Sequence, residues 1–168
     1  MKQVIAMHGW CSGSDTWKTW QDYFESNGWL WQNGERGYCG SSSLMPNWHE
    51  DTSHFSDISK RILICHSLGI HLLENKVLQH ASHVILICSF SQFIADKSES
   101  RALEVALKGM KQALGTAKEQ LMIQKFLKKT NEPYLNSMKL DSNTPKQFSE
   151  DGRARLIKDL ELLIDTKS

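Results

Sequence analysis

The sequence lacks several features that would assign a protein to a class at once. No apolar run approaches the roughly 20 residues of a membrane-spanning helix, and the short apolar stretch within residues 1–7 is too brief for a signal peptide. A formal net charge of +1 gives no reason to expect nucleic acid as a partner. We therefore expect a cytoplasmic protein with neither a membrane nor a nucleic acid as its main partner.

The cysteines lack the spacing of a metal site. No C-x-x-C pair occurs, and no histidine stands at zinc-finger distance from a cysteine. In the absence of an export signal, we expect free thiols rather than a disulfide framework, and no metal. The four positions are Cys11, Cys39, Cys65 and Cys88.

The segment Arg61 to Ile70 carries the most informative pattern. Ile62 to Ile64 are typical of a short buried strand, and Cys65-His66-Ser67-Leu68-Gly69 follows before a helix-like run. A serine between small residues two before and two after, placed between strand and helix, is the pattern of a nucleophile elbow, usually written G-x-S-x-G. Here Cys65 occupies the first small position. The alternative is that Ser67 simply caps the following helix.

Strands and helices alternate along the first half of the chain. Apolar runs predict strands at Lys2 to Met7, Trp29 to Trp31, around Ile62 to Ile64, and at Val84 to Cys88. One helix is expected with Trp17, Trp20 and Phe24 as its apolar face, and a second helix is expected over Gly69 to Gln79. Ser41 to Lys60 should be mostly loop, with a helical turn near Phe55 to Ser59. Strands that are apolar on both faces predict an α/β fold, a mostly parallel sheet with helices on both sides.

The second half of the chain is helical in character. Arg101 to Lys129 predicts two or three helices interrupted at Gly109 and Gly115, and Glu150 to Ile164 predicts a last helix. A loop with Pro133 and Pro145 separates them. We expect a core at residues 1–97 and a helical region at residues 98–168.

Several of these segments resemble the α/β-hydrolase superfamily, in the order that this family shows. His8-Gly9-Trp10 is similar to its oxyanion segment, residues 35–41 to its glycine-rich turn, residues 65–69 to its elbow, and residues 88–91 to the strand end before a helical cap. The most similar group is the pimeloyl-[acyl-carrier-protein] methyl ester esterases of biotin synthesis. That resemblance also includes residues 113–116, 126–130 and 159–163.

The resemblance implies a carboxylic ester hydrolase that needs no cofactor. Ser67 would be the nucleophile, and the backbone N–H groups of Trp10 and Leu68 would form the oxyanion hole. Trp10 and Phe90 would line the substrate site. The substrate would be a small-molecule ester or one linked to acyl carrier protein, and an acyltransferase on the same scaffold remains open.

The general base is the difficulty in this interpretation. In this family an acid and then a histidine follow the serine, yet no histidine follows His83. We expect Asp96 to be solvated, and His66 and His71 to be packed or exposed rather than catalytic; His49 and His54 lie in the long loop. A non-catalytic remnant or binding module is therefore the alternative function.

The resemblance also implies that the strands carrying acid and base are missing. The stretch Asp159 to Thr166 looks like the helix that precedes them, which would leave a partial α/β-hydrolase fold with a helical cap. The strand Val84 to Cys88 would then be an unpaired apolar edge. Such an edge favours either aggregation or completion by another chain, so we expect either a truncated gene product or a partner chain that supplies the rest.

Four lysines recur in the helical region at intervals of seven, seven and four residues. The simplest interpretation is a solvated helix surface. The alternative is a docking surface for an acidic partner such as acyl carrier protein. The residues are Lys111, Lys118, Lys125 and Lys129.

Overall fold

The structure is a computed structural model that describes residues 1–50, 60–94, 100–130 and 147–165. The chain divides into two compact units. The first comprises Met1–Gly37 and Ser41–Phe90, and the second comprises Tyr38–Gly40 and Ser91–Ser168. The expected boundary after residue 97 lies outside the described residues, as do the helical turn expected near Phe55 and the loop with Pro133 and Pro145.

A parallel sheet of four strands forms the first unit. The strands are β1 (Lys2–Met7), β2 (Leu30–Gly34), β3 (Lys60–His66) and β4 (His83–Ile87). Their spatial order is β2-β1-β3-β4, and every neighbouring pair is parallel. The prediction of an α/β fold with a parallel sheet is confirmed.

Alternate residues of the central strands build the core of this unit. Val4, Ala6 and Ile64 are fully buried on one face and pack with Trp17. Each large apolar side chain buried in this way contributes roughly 1.5–3 kcal/mol to folding. Partly buried side chains extend the cluster, among them Phe24, Trp29 and Trp31.

The first helical segment departs from the expected regular face. Ser14–Trp17 is a 3₁₀ helix, and α1 (Lys18–Ser26) begins only after it. Since a 3₁₀ turn has 3.0 residues rather than 3.6, the change of helix type shifts the phase between Trp17 and the residues that follow. Trp20 is consequently 41% exposed, and its assignment to the core face was wrong.

The segment after β3 is not the single helix expected over residues 69–79. Ser67–Leu72 is a 3₁₀ helix, Leu73 and Glu74 are extended, and α2 covers only Asn75–Gln79. The break has a packing reason, because Leu72 and Leu73 are adjacent in sequence and both are buried. A continuous helix would rotate one of them about 100° away from the other.

Strand β4 lies at the edge of the sheet, as predicted. It pairs with β3 on one side, and no other described strand pairs with it. Val84, Ile85 and Leu86 are 46%, 39% and 52% exposed. The first unit therefore presents an apolar edge strand.

The second unit is helical, with α3 (Ser100–Ala113), α4 (Glu119–Thr130) and α5 (Glu150–Asp165). Gly115, at φ +74°, separates α3 from α4 as expected, whereas Gly109 lies inside α3 and the predicted interruption there was wrong. Arg153 donates two hydrogen bonds to Glu119, at 2.7 and 3.0 Å, and so ties α5 to α4. No helix in the described part has both the length and the apolar character needed to cross a bilayer.

Candidate active site

Unusual backbone conformations concentrate just after the carboxyl ends of the parallel strands. Among the described residues, three other than glycine have positive φ angles: Cys11 after β1 at 60°, Ser67 after β3 at 52°, and Cys88 after β4 at 50°. Such a conformation costs on the order of 1–3 kcal/mol for a residue other than glycine. In open α/β sheets, ligands bind outside this edge. The strained positions therefore mark the edge as the candidate site.

Ser67 has the backbone of a strand-to-helix elbow. β3 ends at His66, and Ser67 begins the following 3₁₀ helix while its φ is positive. A capping serine would have extended backbone and a side-chain bond to a helix N–H. The residue in the N-cap position is His66, and Ser67 is the first residue of the helix with a positive φ, so the capping alternative is wrong. The Ser67 side chain is half-buried.

Two glycines allow the backbones to meet around Ser67. A Cβ added at Gly69 would lie 2.5 Å from the carbonyl oxygen of Met7, so only glycine lets this turn approach β1 so closely. A Cβ added at Gly9 would lie 3.0 Å from the Cβ of Ser67. The segment His8-Gly9-Trp10 is thus in close contact with the elbow, although 57 residues separate Gly9 from His66.

The predicted oxyanion donors belong to these two segments. Trp10 directly follows Gly9, and Leu68 directly follows Ser67. Trp10 is 6% exposed and Leu68 is fully buried. The two backbone amides that the resemblance nominates are therefore on chain segments that the fold brings together.

Phe90, predicted to line the substrate site, is held beside the elbow helix. The Nε2 of His71 lies 2.8 Å from the carbonyl oxygen of Phe90, and the two rings stack with centroids 5.1 Å apart. The hydroxyl of Ser89 donates to the carbonyl oxygen of Ser67 at 2.7 Å. These bonds connect the chain after β4 to the elbow.

The described histidines do not supply a base to Ser67. Among the residues that the structure describes, none forms a hydrogen bond to the Ser67 hydroxyl. His71 bonds to Phe90. The Nδ1 of His66 and the Cβ of Ser67 both lie beside Gly9, and burial together with the neighbouring His8 lowers the pKa of His66. His54 and Asp96 lie outside the described residues, and His49, His80 and His83 are exposed.

A buried histidine and a carboxylate are in contact at the end of β1. His8 is fully buried; its Nδ1 lies 2.9 Å from the carbonyl oxygen of Gly9, and its Nε2 lies 3.2 Å from the backbone nitrogen of Arg36. Glu35 lies 3.4 Å from the same Nε2. Both residues belong to segments that resemble family motifs, but nothing in the sequence indicates their contact.

Glu35 is held as a carboxylate by backbone amides. The N–H groups of Ser14 and Gly37 donate to it at 2.9 and 2.7 Å. Burial raises the pKa of Glu35, but the hydrogen bond with His8 and these two amide bonds outweigh burial and lower the pKa to about 2. Glu35 therefore fixes the turn that contacts His8.

The second unit has its own buried polar pair. The hydroxyl of Tyr38 donates to the carboxylate of Asp159 at 2.5 Å, and both residues are 1% exposed. The sequence marked Asp159 only as part of a family-like helix. The contact spans 121 residues, so no local pattern could have revealed it.

The four predicted lysines do not form one stripe. Lys111 lies on α3 and pairs with Glu161 of α5. Lys118, Lys125 and Lys129 instead line an apolar groove between α3 and α4. The break at Gly115 explains the difference, because the intervals of seven assumed one continuous helix.

No protein-family model matches this chain, and no curated protein sequence matches it either. The resemblance to α/β-hydrolases therefore stays a prediction from the residues quoted above.

Proposed function

We propose that this protein is a serine hydrolase of carboxylic esters with Ser67 as its nucleophile. The observation that carries the proposal is the positive φ of Ser67 at the turn between β3 and a 3₁₀ helix. The close approach of Gly9 to Ser67 supports it, because the proposed oxyanion donor Trp10 directly follows Gly9. A cytoplasmic location belongs to the same proposal.

In the proposed reaction, the Ser67 hydroxyl oxygen attacks the ester carbonyl carbon while a base takes its proton. The N–H groups of Trp10 and Leu68 then donate to the oxyanion, each contributing roughly 3 kcal/mol to lowering the barrier. The alcohol leaves with a proton, and water hydrolyses the acyl-enzyme to regenerate Ser67. Phe90 would contact the acyl chain.

The base is a histidine that has to reach Ser67. His66 and His71 are the nearest in sequence, and His54 is the one histidine outside the described residues. The preferred substrate, by resemblance, is a methyl ester of an acyl chain carried on acyl carrier protein. A partner chain that pairs with β4 is a further part of the proposal.

Labelling with a fluorophosphonate probe tests the nucleophile. We expect the folded wild-type chain to be labelled, Ser67→Ala to be unlabelled, and Ser42→Ala, which alters an exposed serine, to be labelled as wild type. Asparagine variants of each histidine would then identify the base.

The alternative is a non-catalytic binding module, favoured by one observation: no described histidine bonds to Ser67. A folded wild-type chain that is not labelled would reject the hydrolase and support this alternative. Loss of labelling in Ser42→Ala as well would show that the probe does not report on Ser67.

A further inference from the structure

An apolar groove runs between α3 and α4 in the helical unit. Its volume is about 540 Å³, within the range of small-molecule sites. Met110 of α3 and Met122 and Phe126 of α4 are half-buried along it, and Leu121 is 55% exposed. This amount of accessible apolar surface calls for an occupant.

The α3 wall of the groove is made of small residues at helical spacing. Ala106, Gly109 and Ala113 succeed one another at intervals of three and four, on one side of the helix. A Cβ added at Gly109 would have no atom within 4 Å. Neither close packing nor an unusual backbone angle therefore requires glycine at position 109, and the absence of a side chain there leaves space in the groove.

The α4 side of the groove carries positive charge. Lys118, Lys125 and Lys129 are exposed and line the groove, and no carboxylate is among the described lining residues. Within the described part of the chain, none of the three forms an ion pair. Lys118 directly precedes α4, and its carbonyl oxygen accepts the N–H of Met122, so the three lysines extend along about 16 Å of one side of α4.

We propose that this groove binds the carboxylate of a medium-chain fatty acid. The alkyl chain lies between α3 and α4 against Met110, Met122 and Phe126, and the carboxylate lies among the lysines. A partner α-helix of about 10 Å diameter that occupied the same 16 Å would need more than about 1,000 Å³, which exceeds the volume of the groove. A single alkyl chain is much narrower. The proposal does not depend on the chemistry of Ser67.

Displacement of a fluorescent fatty acid tests the proposal. With the full chain and 11-(dansylamino)undecanoate, we expect dodecanoate below its micellar concentration to compete saturably. Dodecyltrimethylammonium, which has the same chain and the opposite charge, should compete at least tenfold more weakly. Equal competition by the cation would overturn the proposal.

Matched variants locate the site. Gly109→Leu fills the groove and should weaken dodecanoate binding at least tenfold, whereas Gln112→Leu adds the same side chain on α3 outside the lining and should leave it unchanged. Circular dichroism would check that both variants fold. Unchanged affinity in a folded Gly109→Leu would overturn the proposal.

Charge variants test the head-group contacts. Replacing Lys118 and Lys125 with Gln should weaken binding roughly threefold per lysine, and the double variant of Lys108 and Lys128, which do not line the groove, should not. Ser67→Ala should bind as wild type. If Ser67→Ala abolished binding, the ligand would occupy the candidate active site and the groove proposal would fail. An acidic helical peptide that displaces the probe where dodecanoate does not would likewise reject the fatty acid.

Discussion

Replacing Glu35 with Gln should destabilise the protein in a strongly pH-dependent way. The folded-state pKa is about 2, against an ordinary value of 4.5, because His8 and the amides of Ser14 and Gly37 stabilise the carboxylate. At about 1.36 kcal/mol per pH unit, this difference corresponds to about 3 kcal/mol. The side chain is only 15% exposed, so solvent screening removes little of it.

The sign follows from a folded-state pKa that lies below the unfolded one. The stabilisation by Glu35 is fully present above about pH 5, and it is lost as the pH falls from 4.5 towards 2. Because Gln keeps one acceptor oxygen, we expect the variant to lose about 2 kcal/mol at pH 7. The two proteins should converge in stability near pH 2.

Urea unfolding followed by circular dichroism at pH 7, 5, 4 and 3 measures this profile. Glu50→Gln, at an exposed carboxylate, is the matched control and should change the unfolding free energy by less than about 0.5 kcal/mol at any pH. A Glu35→Gln deficit that stays constant between pH 7 and 3 would refute the electrostatic explanation. In that case the loss would come from packing alone.

Two further predictions concern a pair of glycines and an edge strand. A methyl group at Gly152 would overlap the backbone carbonyl of Tyr38, so Gly152→Ala should lower the free energy of unfolding by about 2 kcal/mol or more. Gly109→Ala meets no atom and should raise it by about 0.5–1 kcal/mol. Thermal unfolding measures both variants, and shifts of the same sign would contradict the assigned contacts. Leu86→Lys should reduce association at the exposed edge, seen by sedimentation velocity over a range of concentrations, whereas Val105→Lys on α3 should not. Equal association of wild type and Leu86→Lys would show that β4 does not pair with a second chain.

The parts of the fold that sequence reasoning predicted correctly depend on local pattern. Runs such as Ile62–Ile64 are apolar on both faces, and this is enough to indicate a buried parallel strand. The glycine at φ +74°, Gly115, ends α3 because few other residues adopt that angle. The edge position of β4 was predicted because the sequence shows no later strand that could pair with it.

The parts that it missed depend on contacts between distant residues. The extended break at Leu73 arises because two adjacent leucines are both buried, and Gly109 stays helical because the surrounding helix tolerates one glycine. The contact of Tyr38 with Asp159 and the anchoring of His8 by Glu35 leave no periodic signal in the sequence. For the site, the pentapeptide at Ser67 was visible, but the approach of Gly9 to it was not.

The backbone at Ser67 constrains what the site can be. A serine that only ended a strand or capped a helix could adopt an extended angle at no cost, so the fold must compensate for φ +52° elsewhere. The compensation is visible in the Ser89 bond to the Ser67 carbonyl and in the room that Gly69 leaves beside Met7. The positive φ of Ser67 is compatible with both the hydrolase and the binding module, because it does not depend on whether a base lies beside the Ser67 hydroxyl. The two functions therefore differ in the base alone, and reactivity of Ser67 towards a fluorophosphonate is the property that separates them.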